Sequence, residues 1–265
     1  MNYDYVIFGV TSAALGIANE LKQKYKILII NKTSMVAYEF INAYKLGTNW
    51  EDAPESELGK AIEKELVNEK IITDKNVYIY SAGAMFYKAF KALDVDILLE
   101  TQIAGIQKTE DNYELSIYNV SGYSTIKTKY MIDTTEKEVP IKRNSLNCLL
   151  INKKNEQFPS IALNGVDFFI EQGDTLKTVI MKYACPIDAS IYTIRHKLIE
   201  LWQQRPKAVS DWMIATIGLC FDSTPEVGFK QVGKDYIALS SSYYDNPLAA
   251  IDAGVKLGRR ILYDI

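Results

Sequence analysis

Histidine, cysteine and excess basic charge are all scarce in this sequence. It contains one histidine and three cysteines, and no two cysteines form a C-x-x-C pair. We therefore expect no metal site and no disulfide framework, which is typical of a protein in a reducing, cytoplasmic compartment. The formal net charge of −3 argues against the broad basic surface of a nucleic-acid-binding protein.

Long apolar runs are missing as well. No run approaches the roughly 20 residues that a membrane-spanning helix needs, and the first residues lack the basic region and cleavage site of a signal peptide. We expect no membrane partner. With 48% hydrophobic and 24% charged residues over 265 positions, the composition is that of a globular protein with room for a large domain and a smaller one.

The first thirty residues carry the most informative pattern. An apolar strand is predicted at residues 6–8, a helix at 12–24 and a second apolar strand at 27–30. Strand, helix and strand within about 30 residues form a βαβ unit, and its right-handed crossover makes the strands parallel. This is the layout of a dinucleotide-binding unit.

The turn of this unit keeps only one of the three glycines that a dinucleotide-binding turn uses. Gly9 can bend the chain and Ala14 is small enough to let helix pack on strand, but Thr11 stands where a phosphate approaches the backbone. At the end of the second strand, Asn31 replaces the acid that accepts hydrogen bonds from a ribose. These residues alone leave open a βαβ unit that binds no nucleotide.

The rest of the chain predicts an α/β fold: a Rossmann-like parallel sheet with a β-meander, plus an inserted smaller α+β domain. The boundaries predicted are 1–138 and 228–265 for the split nucleotide-binding domain and 139–227 for the inserted substrate or cap domain. Strands are expected at 76–80, 96–99, 102–108, 113–119, 123–131, 146–151, 160–163, 178–181 and 235–239, and helices at 55–69, 82–93, 189–204, 207–221 and 248–262.

The closing helix has a clear start signal and one nearly bare face. Asn246 is a typical helix cap and Pro247 suits the first helical position. Ala250, Gly254 and Gly258 recur every four residues. We expect this face to pack closely against a sheet or a cofactor.

Four further segments resemble FAD-dependent oxidoreductases of the two-dinucleotide-binding-domain, glutathione-reductase-like type, and they occur in that family's order. They are residues 34–40, which contain Glu39; 98–106, where Ile103 would face the adenine; 130–136, a variant of the family's DATG segment; and 236–250, the closing strand, loop and helix. The resemblance implies FAD in an extended pose. The cofactor-binding residues that it implies are Gly9, Val10, Thr11, Ser12, Ala13, Ala14, Asn31, Lys32, Thr33, Glu39, Ile103, Thr134, Thr135, Asp245, Asn246, Pro247 and Leu248.

The implied function is hydride transfer between a small organic substrate and a non-covalently bound flavin. The chain departs from the family at Thr11, Asn31 and Glu136, and at the serines 240–241. These departures favour as an alternative a non-catalytic relict of the fold that serves as a binding or partner subunit. With either function, a homo- or hetero-oligomer is compatible with the sequence. A plain NAD-dependent dehydrogenase fits less well, since it has no use for the meander or the closing helix.

No catalytic residue is evident from the sequence. His196 stands among charged residues and is expected on a solvated helix face, while Cys185 is expected to be structural. Tyr243 and Tyr244 are equally compatible with a place near a flavin and with ordinary packing. Hydride transfer to a flavin needs little from the protein beyond positioning, so the catalytic residues stay unassigned.

Overall fold

A computed structural model describes residues 1–73, 76–152, 154, 156–171 and 178–263. The helices are α1 (Ser12–Leu21), α2 (Glu57–Asn68), α3 (Gly83–Lys91), α4 (Ile191–Gln203) and α5 (Pro247–Tyr263). The strands are β1 (Asn2–Phe8), β2 (Ile27–Ile30), β3 (Asp96–Leu98), β4 (Gln102–Lys108), β5 (Tyr113–Asn119), β6 (Gly122–Asp133), β7 (Ile141–Asn152), β8 (Val166–Glu171), β9 (Thr178–Cys185), β10 (Trp212–Ile217), β11 (Asp222–Pro225), β12 (Phe229–Gly233) and β13 (Tyr236–Leu239).

The larger sheet confirms the predicted α/β class. Its strands lie in the order β12-β13-β6-β1-β2-β3, and β13, β6, β1, β2 and β3 run parallel. β6 is long because its first half pairs with β5 in the meander and its second half pairs with β1 in the parallel sheet. The carboxyl ends of β1, β2, β6 and β13 therefore meet at one edge, where ligands bind in open α/β sheets.

Helices α1 and α5 pack backbone against backbone beside this sheet. A Cβ added to Gly16 would lie 2.2 Å from the carbonyl oxygen of Ile251, and one added to Gly254 would lie 2.1 Å from that of Ala13. The bare face of α5 thus packs against a neighbouring helix, not against the sheet or cofactor that the sequence suggested.

The smaller sheet has an apolar face and a polar face. Strand order is β10-β7-β9-β8, with β11 also paired to β7. On one face of β7, Leu146, Cys148 and Leu150 form a buried cluster with Trp202 of α4 and Trp212 of β10. Side chains alternate along a strand, so the odd-numbered polar residues of β7 lie on the other face, where Asn147 Nδ2 donates to the carbonyl oxygen of Tyr44.

Three sequence-based elements are wrong. Residues 207–221 form a short 3-10 turn and the strand β10 in place of a helix, because Ile214, Thr216 and Ile217 are β-branched and pair with β7. Residues 76–80 contain one isolated bridge at Val77 and the start of a 3-10 turn. Residues 160–163 contribute a single bridge, formed at Leu163.

Within the described part of the chain, no helix combines the length and apolar character required to cross a bilayer.

Candidate functional site

The predicted phosphate-binding turn is filled by the protein's own hydrogen-bond acceptors. The first three N–H groups of α1 are those that a helix leaves without partners, and here each donates to a side chain. The N–H of Ser12 donates to Glu39 Oε1 at 2.8 Å, that of Ala13 to Ser241 Oγ at 3.1 Å and that of Ala14 to Thr11 Oγ1 at 3.2 Å.

Glu39 is the central group of this arrangement. Its side chain is 2% exposed, and Oε1 also accepts a 2.7 Å hydrogen bond from the Ser241 hydroxyl. Oε2 has no hydrogen-bond partner among the described residues. Burial raises the pKa of the Glu39 carboxyl, although the hydrogen bonds from Ser12 and Ser241 oppose that shift. A carboxylate here is stabilised by the partial positive charge of the helix N-terminus, as a phosphate would be.

Threonine side chains close the remaining space at the turn. Thr11 is fully buried and donates to Thr134 Oγ1 at 2.8 Å, while Thr134 donates to the carbonyl oxygen of Phe8 at 2.7 Å. Gly9 has a φ of +92°, and a Cβ built on it would meet atoms of Thr135, Thr11 and Thr134 within 3.0 Å. The glycine supplies the bend, but its open side is packed with side chains.

The side chain of Asn31 forms hydrogen bonds with nearby backbone groups. Its Oδ1 accepts from the N–H of Val10 at 3.4 Å, and its Nδ2 donates to the carbonyl oxygens of Thr33 at 3.0 Å and Met35 at 2.9 Å. The side chain is buried, and it ties β1 to the loop that follows β2. The amide therefore has partners within the protein at the place where a ribose acceptor was expected.

A cavity of about 450 Å³ lies at the carboxyl ends of the parallel strands. It brings together half a dozen of the predicted residues, in the place that the resemblance gives to an adenosine. The predicted residues that line it are Gly9, Asn31, Lys32, Thr33, Ile103 and Thr135.

Glu136 is a second carboxylate beside the filled turn. It replaces the glycine of the family segment. Burial, together with the charge of Glu39, raises the pKa of the Glu136 carboxyl to about 7. Two acidic groups thus stand between α1 and the loop before α5.

The start of α5 is capped as the sequence predicts. Asn246 Oδ1 accepts from the N–H of Ala249 at 2.9 Å, and its Nδ2 donates to the carbonyl oxygen of Thr48 at 2.9 Å. Pro247 and Leu248 are buried in the helix start. Asp245 accepts from Asn49 Nδ2 at 2.8 Å and lines a second cavity.

This second cavity, of about 420 Å³, lies between the polar face of the smaller sheet and the loops that precede α2 and α5. Most of the polar residues that line it were not predicted from the sequence. A usable signal was present, because Arg143, Ser145 and Asn147 alternate along β7 with the apolar Leu146, Cys148 and Leu150 of the opposite face. The missed polar lining residues are Lys45, Thr48, Arg143, Asn147, Lys182, Asp222 and Thr224.

Of the reactive side chains considered from the sequence, His196 and Cys185 line neither cavity, whereas Tyr243 and Tyr244 do line one. His196 is exposed on α4, with Nε2 3.3 Å from Glu200 Oε1. Burial raises the pKa of the Cys185 thiol to about 11, which disfavours the thiolate needed for nucleophilic chemistry. Tyr243 and Tyr244 line the second cavity. Among the described residues, no group of acidic, Cys and His side chains is placed to hold a metal ion.

Comparison with solved structures identifies the fold. p-Nitrophenol 4-monooxygenase PnpA from Pseudomonas putida is similar with a TM-score of 0.60 and 11% identity, covering 98% of this chain and 78% of that chain. OxyS anhydrotetracycline hydroxylase from Streptomyces rimosus is similar with a TM-score of 0.65 and 12% identity, covering 99% of this chain and 63% of that chain. L-α-glycerophosphate oxidase from Mycoplasma pneumoniae, solved with FAD bound, is similar with a TM-score of 0.59 and 12% identity, covering 99% of this chain and 95% of that chain.

The chain therefore has the Rossmann-like fold of FAD-binding flavoproteins. It spans less than two thirds of the length of the OxyS structure. No protein-family model matches the sequence, and no curated protein matches it. None of the three named structures is a glutathione reductase, so the finer resemblance to the glutathione-reductase-like type stays a prediction.

The residues at the turn do not fit the pyrophosphate of an FAD in the extended pose. A pyrophosphate at a helix N-terminus needs free N–H donors, and the first-turn donors of α1 already have the acceptors described above. The buried Glu39 carboxylate, which already accepts the N–H of Ser12, would also stand close to the negative charge of a pyrophosphate at this helix end. Like charges at contact distance are strongly unfavourable where water is excluded.

Proposed function

We propose that this protein is a non-redox, small-molecule-binding protein built on the flavoprotein fold, and that Glu39 occupies the place of the cofactor's pyrophosphate. The observation that carries the proposal is the pair of hydrogen bonds to Glu39 Oε1, from the N–H of Ser12 at 2.8 Å and from the hydroxyl of Ser241 at 2.7 Å. The ligand site of such a protein is the second cavity, which does not include the turn.

Opening the turn would cost more than one contact. Moving Glu39 away would leave a buried N–H and a buried hydroxyl without an acceptor, at about 1–3 kcal/mol each. Thr11 cannot move aside so simply, because its side chain is fully buried and hydrogen-bonded to Thr134. A pyrophosphate would have to offset both effects and the repulsion from Glu136.

A second candidate is an FAD-dependent oxidoreductase that transfers hydride between a small organic substrate and a non-covalent flavin. Two observations favour it: the fold shared with an oxidase that has FAD bound, and the cavities on either side of the turn, of about 450 and 420 Å³. In this candidate the cofactor would follow a path that avoids the first turn of α1.

The visible spectrum of the purified protein separates the two candidates. The binding-protein proposal predicts no absorbance in the flavin region and no flavin fluorescence in the supernatant after heat denaturation. A stoichiometric amount of released FAD would overturn it and support the oxidoreductase.

A further inference from the structure

Two half-buried lysines, Lys45 and Lys182, line the second cavity. Every other lysine that the structure describes is exposed. Lys182 forms an ion pair with Asp222. Lys45 forms no ion pair with any carboxylate in the described part of the chain. Lysine is rarely buried without a charged partner, so the cavity holds one amine as a paired cation and a second amine in a different state.

The groups that contact the Lys45 amine are uncharged. Its Nζ donates to the carbonyl oxygen of Ser242 at 2.5 Å and lies 5.1 Å from the centre of the Phe40 ring. Both of these neighbours are buried. A carbonyl oxygen and an aromatic face compensate the lost hydration of an ammonium group less well than a carboxylate does. This environment therefore favours the neutral amine over the charged form.

More distant charges do not reverse this effect. Burial lowers the pKa of the Lys45 amine, and the charge of Lys182 acts in the same direction. Three acidic groups oppose the shift, and they are Asp222, Glu39 and Glu136. The net direction is downward, as it is for lysines that act as nucleophiles in apolar pockets or beside a second cation.

The backbone before Lys45 is held in an uncommon conformation. Tyr44 has a φ of +51°, which bulky residues rarely adopt and which persists only where the surrounding structure enforces it. The smaller sheet fixes this residue at both ends. The Tyr44 carbonyl oxygen accepts from Asn147 Nδ2 at 3.1 Å, and its hydroxyl donates to Thr216 Oγ1 at 3.1 Å. These contacts set the position of the next residue, Lys45, at the cavity wall.

We propose that Lys45 captures a small aldehyde in the second cavity as a covalent imine. The lone pair of the neutral amine attacks the carbonyl carbon, a C–N bond forms, and the carbonyl oxygen takes a proton from the nitrogen. The resulting hydroxyl leaves as water with the second N–H proton, which gives a C=N bond without any change of oxidation state. The volume of about 420 Å³ suits a small molecule. This inference names the ligand class of the site in the proposed function and rests on it.

Reductive trapping with butanal and cyanoborohydride at pH 7 tests the assignment. Cyanoborohydride reduces an imine to a stable amine, and peptide mass mapping then gives the labelling rate of each lysine. Exposed lysines are almost entirely protonated at this pH. We expect Lys45 to be labelled about tenfold faster than the mean of the exposed lysines, since a pKa one unit lower gives about ten times more neutral amine. Equal rates in the folded protein would overturn the proposal.

Two conservative variants locate the reactive amine. Lys45→Arg keeps a positive charge and a donor, but a guanidinium stays protonated, so the fast label should disappear. Lys182→Arg is the matched control, because it removes the other half-buried amine and keeps a cation beside Asp222. It should retain the fast label at Lys45. A fast label that lies on Lys182 and survives in Lys45→Arg would contradict the assignment.

The same labelling in urea separates the effect of the fold from that of the local sequence. In the unfolded chain, Lys45 should be labelled at the same rate as the other lysines. A fast rate that survives unfolding would show that neighbouring residues in the sequence activate the amine, and it would refute a role of the cavity.

FAD binding by the wild-type protein makes the failure of this inference distinguishable from that of the proposed function. Tight FAD binding together with fast labelling of Lys45 would sink the non-redox proposal and leave the reactive amine standing. Absence of both FAD binding and fast labelling would refute the ligand class alone.

Discussion

At the scale of single residues, a buried carboxylate accepts the first N–H group of α1. Glu39 and Ser241 are 202 positions apart in the sequence, and their hydrogen bond closes the turn. The sequence identified both the turn and Glu39, but as cofactor contacts. The capping role depends on a partner brought from the far end of the chain, and no local pattern reveals that.

Replacing Glu39 tests this capping role. Glu39→Ala leaves the N–H of Ser12 and the hydroxyl of Ser241 without their acceptor, so we expect a loss of about 1–3 kcal/mol in the free energy of unfolding. Glu39→Gln keeps an acceptor oxygen and nearly the same shape, and it should remain close to the wild type. Urea unfolding at neutral pH measures both variants. An alanine variant as stable as the glutamine variant would show that the carboxylate is not the cap.

The Glu136 carboxyl makes the stability of the fold depend on pH. Its pKa rises from 4.5 to about 7 on folding, so the folded state holds a proton that the unfolded state has released. The free energy of unfolding should therefore fall as the pH increases between about 4.5 and 7, and Glu39, whose pKa is also raised, acts in the same direction.

Glu136→Gln should reduce this slope and stabilise the protein above pH 7 by about 1–3 kcal/mol. Thermal or urea unfolding over that pH range is the measurement. Glu110→Gln, in an exposed turn, is the control and should leave the slope unchanged. If the free energy of unfolding of the Glu136 variant falls with pH as steeply as that of the wild type, other groups cause the pH dependence.

At the scale of elements, helices α1 and α5 approach each other backbone to backbone. Each helix presents a glycine to a backbone carbonyl of the other. The sequence predicted the bare face of α5 from its four-residue spacing, but assigned it to a sheet or cofactor, because which element covers a face is decided by topology.

Adding a methyl group at this contact should lower the stability of the fold. Gly16→Ala and Gly254→Ala place a Cβ 2.2 and 2.1 Å from carbonyl oxygens, so we expect each to lower the free energy of unfolding by about 2 kcal/mol or more. Gly83→Ala, at the start of α3, meets nothing within 4 Å and should be neutral or stabilising by up to about 1 kcal/mol. Wild-type stability in either contact variant would contradict the close approach.

The parallel strands and the meander could be predicted because their apolar runs and turns are local signals. The strand β10 could not, since residues 207–221 mix helix-forming and strand-forming residues in nearly equal number, and its pairing with β7 decides the outcome. The second cavity escaped prediction for a related reason: its lining comes from segments that are distant in the sequence and meet only in the folded protein.

At the scale of the whole molecule, the two cavities described above are lined by different segments of the chain. One lies at the carboxyl ends of the parallel strands and the other lies against the polar face of the smaller sheet. Glu39, Glu136 and the threonines at the turn interrupt the path that an extended dinucleotide would follow. The architecture of a flavoprotein is thus kept, while the contacts that would hold its pyrophosphate are made within the chain.

Calorimetric titration of FAD into the wild-type protein, on material that unfolds cooperatively, tests this central claim most directly. The account predicts no saturable heat, because the donors of α1 are already occupied by Glu39, Ser241 and Thr11. Saturable one-to-one binding of FAD that is weakened by ADP would contradict it.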